Sequence, residues 1–391
     1  MPPSPFARLR ALLADVPAGT APGAQPIDLA LGAPRHPFPA FVMRALTAAA
    51  DGFGQYPPAA GTPAFRAACA GWLERRYHMP GAIDADTMIL PASGTREALF
   101  NIAQVITPKA IAGVVPKIAL PNPFYQCYAA AALGAGAQPI YLNATAKTGH
   151  LPDLTPLTGA DLDHIAALYI CSPANPQGAA ADAAYWTALI KRARAHAIAI
   201  VADECYADIY TATPPVGILQ AAHGAGLGFA GIITFHSLSK RNNLPGLRSG
   251  FAAGDPALIS RFAKFRNLAA PQLPLPVMAA SIAAWNDDED AARNRARYAV
   301  KFDMAERILA GRFEVNRPDG GFFLWLDVSA MGGGEAAART LWQRAGIRVL
   351  PGGYLSRDTP DGNPGTDYIR VALIGDEDET AHALTRMTEV L

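Results

Sequence analysis

The stretch Ile232-Ile233-Thr234-Phe235-His236-Ser237-Leu238-Ser239-Lys240, with Leu244-Pro245-Gly246-Leu247-Arg248-Ser249-Gly250 just after it, decides the fold. After Gly231, the β-branched and aromatic residues Ile232 to Phe235 run together, which predicts a short buried strand. Just past the strand end comes a lysine, with two serines before it and an arginine eight residues later. The lysine supplies an amine able to form a Schiff base, and the serines and arginine can hold a phosphate dianion.

Outward from this stretch, short apolar runs alternate with helical patterns from about Thr87 to Phe251. Met88 to Leu90, Lys117 to Leu120, Ile140 to Leu142, Ala167 to Cys171 and Ile198 to Ala202 read as further strands. Thr95 to Ile106 reads as a helix with Leu99, Ile102 and Ile106 on one face, and Tyr185 to Ala197 as another. Such alternation implies a mainly parallel sheet covered on both faces, with ligands bound where the loops converge at the carboxyl ends of the strands. The loops at those ends are Ala92 to Thr95, Pro121 to Tyr125, Ser172 to Pro176, Asp203 to Tyr206 and Ser237 to Lys240. Beyond the proline-rich Pro271 to Pro276, a long helical stretch from Met278 to Leu309 is predicted to break near Asp287-Asp288. Gly321 to Val328 and Ile369 to Leu373 then read as strands of a smaller α/β unit.

Composition removes several function classes. Lys+Arg and Asp+Glu both count 33, so no net charge steers the 391-residue chain to nucleic acid or to an anionic membrane. No apolar run reaches membrane-spanning length, and the N-terminus lacks a secretion pattern. Cys69, Cys127, Cys171 and Cys205 form no Cys-x-x-Cys pair, which favours free thiols and a cytoplasmic location. The eight histidines show no ligand spacing, so no metal site is expected. Neither a Gly-x-Gly-x-x-Gly after a strand nor a Gly-Lys dipeptide is present, which removes the dinucleotide and P-loop readings. Ser-x-x-Lys is also the nucleophile motif of penicillin-binding proteins, but Lys147-Thr148-Gly149 precedes it and no Ser-Asp-Asn occurs.

The strand-end loops together suit pyridoxal phosphate (PLP) held on Lys240. This cofactor needs a phosphate cradle, a charge partner for its ring nitrogen, a donor to its phenolic oxygen and a flat cover. Gly94 and Thr95 open a helix whose free N–H groups suit an anion, and Ser237, Ser239 and Arg248 would complete the cradle; a simple cap by Ser93 or Thr95 is compatible with this. A carboxylate at a buried strand end, Asp203, needs a positive partner and suits a pyridinium. Tyr206 and Asn175 could reach the phenolic oxygen, and Tyr125 or its neighbour Phe124 could cover the ring. Arg370 lies in a strand whose alternation puts Ile369, Val371 and Leu373 on the other face; it calls for an anion, either a substrate carboxylate or a structural acid.

In this order the motifs resemble the class I/II aminotransferases, PLP enzymes of fold type I, over nearly the whole chain. The matching runs include Leu31 to Pro34, Tyr56 with Gly61, Ser93 to Thr95, Asn122 to Tyr128, Ser172 to Gly178, Asp203 to Tyr206, Ser237 to Arg248, Gly321 to Asp327, Val349 to Gly352 and Arg370. Gln177 departs from the threonine usual in that family. The resemblance implies a large domain, 46–277, around a mainly parallel seven-stranded sheet covered by helices. A smaller α/β domain, 278–391, would be joined by an N-terminal segment, 1–45. It further implies Lys240, Asp203 and Tyr206 as catalytic residues, with Lys240 as acid/base and Asn175 on the phenolic oxygen. Arg370 would take the substrate α-carboxylate, Gly32 would line the substrate pocket, and Tyr56 would reach the cofactor phosphate of a partner subunit in a homodimer.

Within the family, His236 to Phe251 and Ala279 to Asn286 look most like succinyldiaminopimelate transaminases. That likeness implies transfer of an amino group from N-succinyl-LL-2,6-diaminopimelate to 2-oxoglutarate; Arg35, just after the pocket segment Gly32-Ala33-Pro34, suggests a hold on the distal carboxylate, with an exposed loop charge as the alternative. Another aminotransferase, a C–S β-lyase or a decarboxylase on the same scaffold is the alternative, since motifs around the lysine do not report which substrate bond breaks. A PLP-sensing regulator would need a DNA-binding domain, for which no basic segment is present.

Overall fold

A computed structural model describes residues 3–20 and 25–391; residues 1–2 and 21–24 of the expected N-terminal segment lie outside it. Its centre is a seven-stranded sheet in the order Ile89–Ala92, Gly250–Gly254, Ile232–Ser237, Ala199–Asp203, Ile165–Cys171, Lys117–Asn122, Gln138–Asn143. Only Gly250–Gly254 runs against its neighbours; the other contacts in the sheet are parallel. This strand was not legible in the sequence. Gly-Phe-Ala-Ala-Gly carries almost no strand propensity, and pairing on both sides imposes the extended conformation. Met88, expected in the first strand, instead closes the helical turn Ala85–Met88.

Each strand alternates its side chains between two cores. Leu168, Ile170, Ile200 and Ala202 enter one apolar layer, while Ala167, Tyr169 and Val201 enter the other. Each fully buried Leu or Ile contributes about 1.5–3 kcal/mol, and burial on both faces fixes the register, because a one-residue slip would exchange the two layers. The helix Thr95–Ile106 presents Leu99, Ile102 and Ala103 to the second layer.

A third core lies among Leu324, Leu326, Ile369, Val371, Phe302, Leu341 and Leu384, and Ile27 and Leu29 join it. Its antiparallel sheet has the order Leu350–Pro351, Tyr368–Ala372, Phe323–Asp327, and Ile27–Asp28 pairs parallel with Ile347–Arg348. The long helical stretch is two helices, Leu275–Trp285 and Asp288–Leu309. Asp287 caps the second by accepting from the Asp290 N–H at 2.8 Å, and three acids in its first turn suit the positive helix end.

Candidate active site

A cavity of about 480 Å³ opens at the carboxyl ends of the central strands. Lys240, Asp203, Tyr206, Asn175, Thr95, Tyr125, Ser237, Ser239, Arg248, Gly32 and Arg370, all expected from the sequence, line it. They come from segments more than three hundred residues apart, and the sheet brings their strand ends together.

Lys240 sits on the short helix Leu238–Arg241 directly after strand Ile232–Ser237. Its Nζ donates to the Gly32 carbonyl at 2.6 Å and lies 5.1 Å from the centre of the Phe322 ring. Burial, reinforced by nearby Arg370 and Arg248, pushes the amine down to about 8. A group with that value is partly unprotonated near neutral pH, as an attacking or proton-carrying amine must be.

Asp203 closes strand Ala199–Asp203 and is buried. Its Oδ2 accepts from the Tyr128 hydroxyl at 2.7 Å and its Oδ1 from the Cys205 N–H at 3.2 Å. Burial raises its carboxyl above the ordinary range despite these bonds and the attraction of Lys240. The raised value marks a carboxylate short of positive charge.

Gly94 and Arg248 meet at the start of helix Thr95–Ile106. Gly94 has φ +82°, and a Cβ there would stand 2.0 Å from the Arg248 guanidinium. Only glycine combines this backbone with so close an approach. Beside them, Ser237 Oγ accepts from the Ser239 N–H at 3.1 Å and donates to Ser239 Oγ at 3.0 Å. The result is a set of hydroxyls, helix N–H groups and a guanidinium on one side of the cavity.

Arg370 occupies the face of its strand that the alternation predicts, opposite Ile369 and Val371. It is 4 % exposed, and among the described residues no carboxylate pairs with it. It donates to Asn175 Oδ1 at 2.9 Å and to the Ala30 carbonyl at 2.7 Å, while its Nε is buried without a partner. Burial draws the guanidinium down to about 10. A desolvated cation held by neutral oxygens and lacking a counter-ion is a site for an anionic ligand.

Of the expected residues, Gly94 adjoins the lining through Thr95 and Arg248 without lining the cavity itself, and two lie elsewhere. Arg35 does not line the cavity: its guanidinium bonds both oxygens of Glu379, at 2.9 and 3.0 Å, and the Asp28 carbonyl at 3.0 Å. In this structure Glu379 engages the cation that Arg35 would offer to a substrate carboxylate. Tyr56 is 100 % exposed in the single chain and also does not line the cavity.

The sequence reading assigned no role to Tyr128, Arg96, Phe323 or Cys205, all of which line the cavity. Arg96 donates from Nε to the Tyr125 hydroxyl at 2.5 Å, and Phe323 lies 4.3 Å beneath the Arg370 guanidinium. Tyr128 sits one helical turn beyond Tyr125 in an alanine-rich helix; that spacing was the available signal. Phe124 and Tyr125 both line the cavity. Phe124 is packed against Tyr141 at 5.2 Å, whereas the Tyr125 hydroxyl edge is fixed by Arg96.

A lysine, a buried carboxylate, an anion cradle and a desolvated arginine around one cavity define a Schiff-base enzyme site for a small anionic substrate. The family model "Aminotransferase class I and II" matches residues 24–387, and the chain belongs to that family. The chain is 33% identical over 365 residues to a 4-dedimethylamino-4-oxo-anhydrotetracycline transaminase from Streptomyces rimosus, covering 93% of each chain. It is 28% identical to an LL-diaminopimelate aminotransferase from Desulforudis audaxviator, covering 99% of this chain and 95% of that one. An aminotransferase structure from Neisseria meningitidis superposes with a TM-score of 0.95 at 40% identity, covering 100% of this chain and 98% of the other.

The protein is therefore a transaminase whose cofactor is PLP. The cavity fits that group: Lys240 could carry it, Asp203 could face its ring nitrogen, and the Gly94–Arg248 cradle could take its phosphate. When bound, it supplies an electron sink for the substrate α-carbon.

Proposed function

We propose that the enzyme moves the amino group of N-succinyl-LL-2,6-diaminopimelate to 2-oxoglutarate, giving glutamate, in lysine and diaminopimelate biosynthesis. The observation that carries the transaminase site is the convergence of Lys240, Asp203, Arg248 and Arg370 on one cavity. In this reading Lys240 holds the cofactor and moves the proton at the substrate α-carbon. Asp203 keeps the ring nitrogen protonated, and Tyr206 and Asn175 orient the phenolic oxygen. Tyr125 covers the ring, and Arg370 takes the α-carboxylate beside Gly32. The diaminopimelate backbone is supported by full-length relatives named for it and by the loop around Lys240.

The working unit in this proposal is a cytoplasmic homodimer in which Tyr56 of one chain reaches the phosphate bound by the other. Its full exposure in the single chain supports this. Each chain divides into a large domain, 46–277, and a small domain, 278–391, joined by the segment 1–45; packing of Ile27 and Leu29 in the C-terminal core supports that division.

The test is a substrate comparison on the PLP-loaded enzyme with 2-oxoglutarate as acceptor. The succinylated donor should exceed alanine and aromatic donors at least ~10-fold in kcat/KM, because its extra carboxylate adds binding in the transition state. Preference for LL-diaminopimelate without the succinyl group, or for alanine or aromatic donors, overturns the substrate and leaves the transaminase intact.

A further inference from the structure

Lys301 makes an unusual set of contacts. It lies on helix Asp288–Leu309 with no exposed surface, and no carboxylate pairs with it among the described residues. Its Nζ reaches His36 Nε2 at 2.9 Å and donates to the Leu373 carbonyl at 2.6 Å and the Gly375 carbonyl at 2.7 Å. His36 is held down to about 4 by burial and by the nearby Lys301 and Arg297, so at neutral pH its Nε2 is an uncharged acceptor for Lys301. Filling this site with a buried amine costs more than filling it with an apolar chain of the same size, so the contacts themselves are what the lysine adds.

Those contacts end at the active site. His36 closes the segment that begins at Leu29, whose carbonyl accepts from the Ala372 N–H at 2.8 Å. Between these two anchors, Gly32 offers its carbonyl to Lys240 Nζ. A Cβ on Gly32 would stand 2.6 Å from Phe323, so the segment is pressed against the cavity wall. The helix that holds His36 also holds the lysine loop: Asn294 Nδ2 donates to the carbonyls of Lys240 and Arg241, each at 3.0 Å. Asn294, Tyr298 and Lys301 are spaced four and three residues apart and so share one helix face. Tyr298 stacks on Phe322 at 5.2 Å, and Phe322 lies under Lys240.

We propose that Lys301 and Asn294 are positioning residues: one helix face grips the Leu29–His36 strap and the Lys240 loop together and sets the Gly32 wall against the lysine. Asn294 and Lys301 are seven residues apart, which is ~10 Å of rigid helix. Loss of the Lys301–His36 bond loosens the far end of the strap, which Arg35 still ties to Glu379, while leaving the cofactor cradle intact. Substrate binding should suffer more than turnover. The inference rests on the transaminase assignment and is independent of which amino donor is used.

The experiment compares Lys301→Met, His36→Phe and His36→Gln as PLP-loaded enzymes. It follows hydrogen exchange of peptides covering 29–37, with KM and kcat for the best amino donor. Lys301→Met and His36→Phe should exchange faster over 29–37 and raise KM ~10-fold with kcat changed less than ~3-fold. His36→Gln, which keeps an acceptor oxygen, should stay near wild type in both readouts. Because exchange needs no substrate, a wrong donor assignment does not mimic failure of the strap. Wild-type exchange or wild-type KM in folded, cofactor-loaded His36→Phe overturns the proposal, as does a His36→Gln protein as impaired as His36→Phe. Should Lys301→Met fail to fold, the His36 pair decides alone.

Discussion

The Tyr128 hydroxyl donates to Asp203 Oδ2 at 2.7 Å, inside a core where neither side chain meets solvent freely. The bond orients the carboxylate without neutralising it, and burial still raises Asp203 above the ordinary range. In the proposed site, the ring nitrogen of bound PLP would bring the missing positive charge to Asp203. Asp203→Asn should therefore fold and bind cofactor but lose turnover ~100-fold or more, a size typical of a removed electrostatic partner. Tyr128→Phe should cost about 1 kcal/mol of stability and a smaller part of the rate. Steady-state kinetics and thermal melts of the two cofactor-saturated variants check both expectations; near-normal turnover of Asp203→Asn contradicts the first.

The Lys240 amine lies near 8 because burial and two neighbouring guanidinium groups disfavour its charged form. A depressed lysine value means the free base accumulates as pH rises through it. Covalent capture of PLP by the apo-enzyme, trapped with borohydride, should accelerate from pH 6 to about 8 and level off above. Peptide mapping should find the label on Lys240, and Lys240→Ala should take up PLP without trapping it and lose turnover. A rate still rising tenfold per pH unit to pH 10 would place the amine at its ordinary value.

Arg370 has an unpartnered Nε, and among the described residues no carboxylate pairs with it. Arg370→Ala should raise KM for every amino and oxo acid alike, with a loss of about 2 kcal/mol or more in kcat/KM, ~30-fold. Arg370→Lys should recover little of this, since an ammonium cannot pair two oxygens from the same position. An effect confined to one substrate would contradict an α-carboxylate role.

Gly94 leaves room for the Arg248 guanidinium that a methyl would fill. Gly94→Ala should weaken PLP affinity ~10-fold or more, about 1.4 kcal/mol, with a modest loss of fold stability. Equilibrium titration of apo-protein with PLP measures this directly. Unchanged affinity would remove the phosphate from that side of the cavity.

Much of this architecture was legible in the residues because local pattern and tertiary need agree. Helix Thr95–Ile106 has both a three-four apolar spacing and a start after glycine, and it forms with those bounds. The strand before Lys240 and the break at Asp287 follow in the same way. Strand Gly250–Gly254 did not, because its small residues take their conformation from two neighbours and carry no signal of their own. Arg35 shows the opposite limit. Its place after Leu31 to Pro34 suggested a substrate cation, but its partner Glu379 is 344 residues away in sequence and only the folded chain brings them together. As a half-exposed pair, it should be worth about 1 kcal/mol or less. Lys301 and Asn294 likewise sit in a helix whose pattern announces only amphipathicity, and their contacts with the strap and the lysine loop are visible only in three dimensions.

The central claim is that the site passes an amino group through its cofactor and does not release it. The most direct measurement supplies N-succinyl-LL-2,6-diaminopimelate labelled with ¹⁵N at the reacting amine, together with 2-oxoglutarate, to the PLP-loaded enzyme. The label should appear in glutamate in step with donor consumption, and Lys240→Ala should transfer none. Label released as ammonia, with no labelled glutamate from this or any other amino donor, would contradict the account and point to a lyase on the same scaffold.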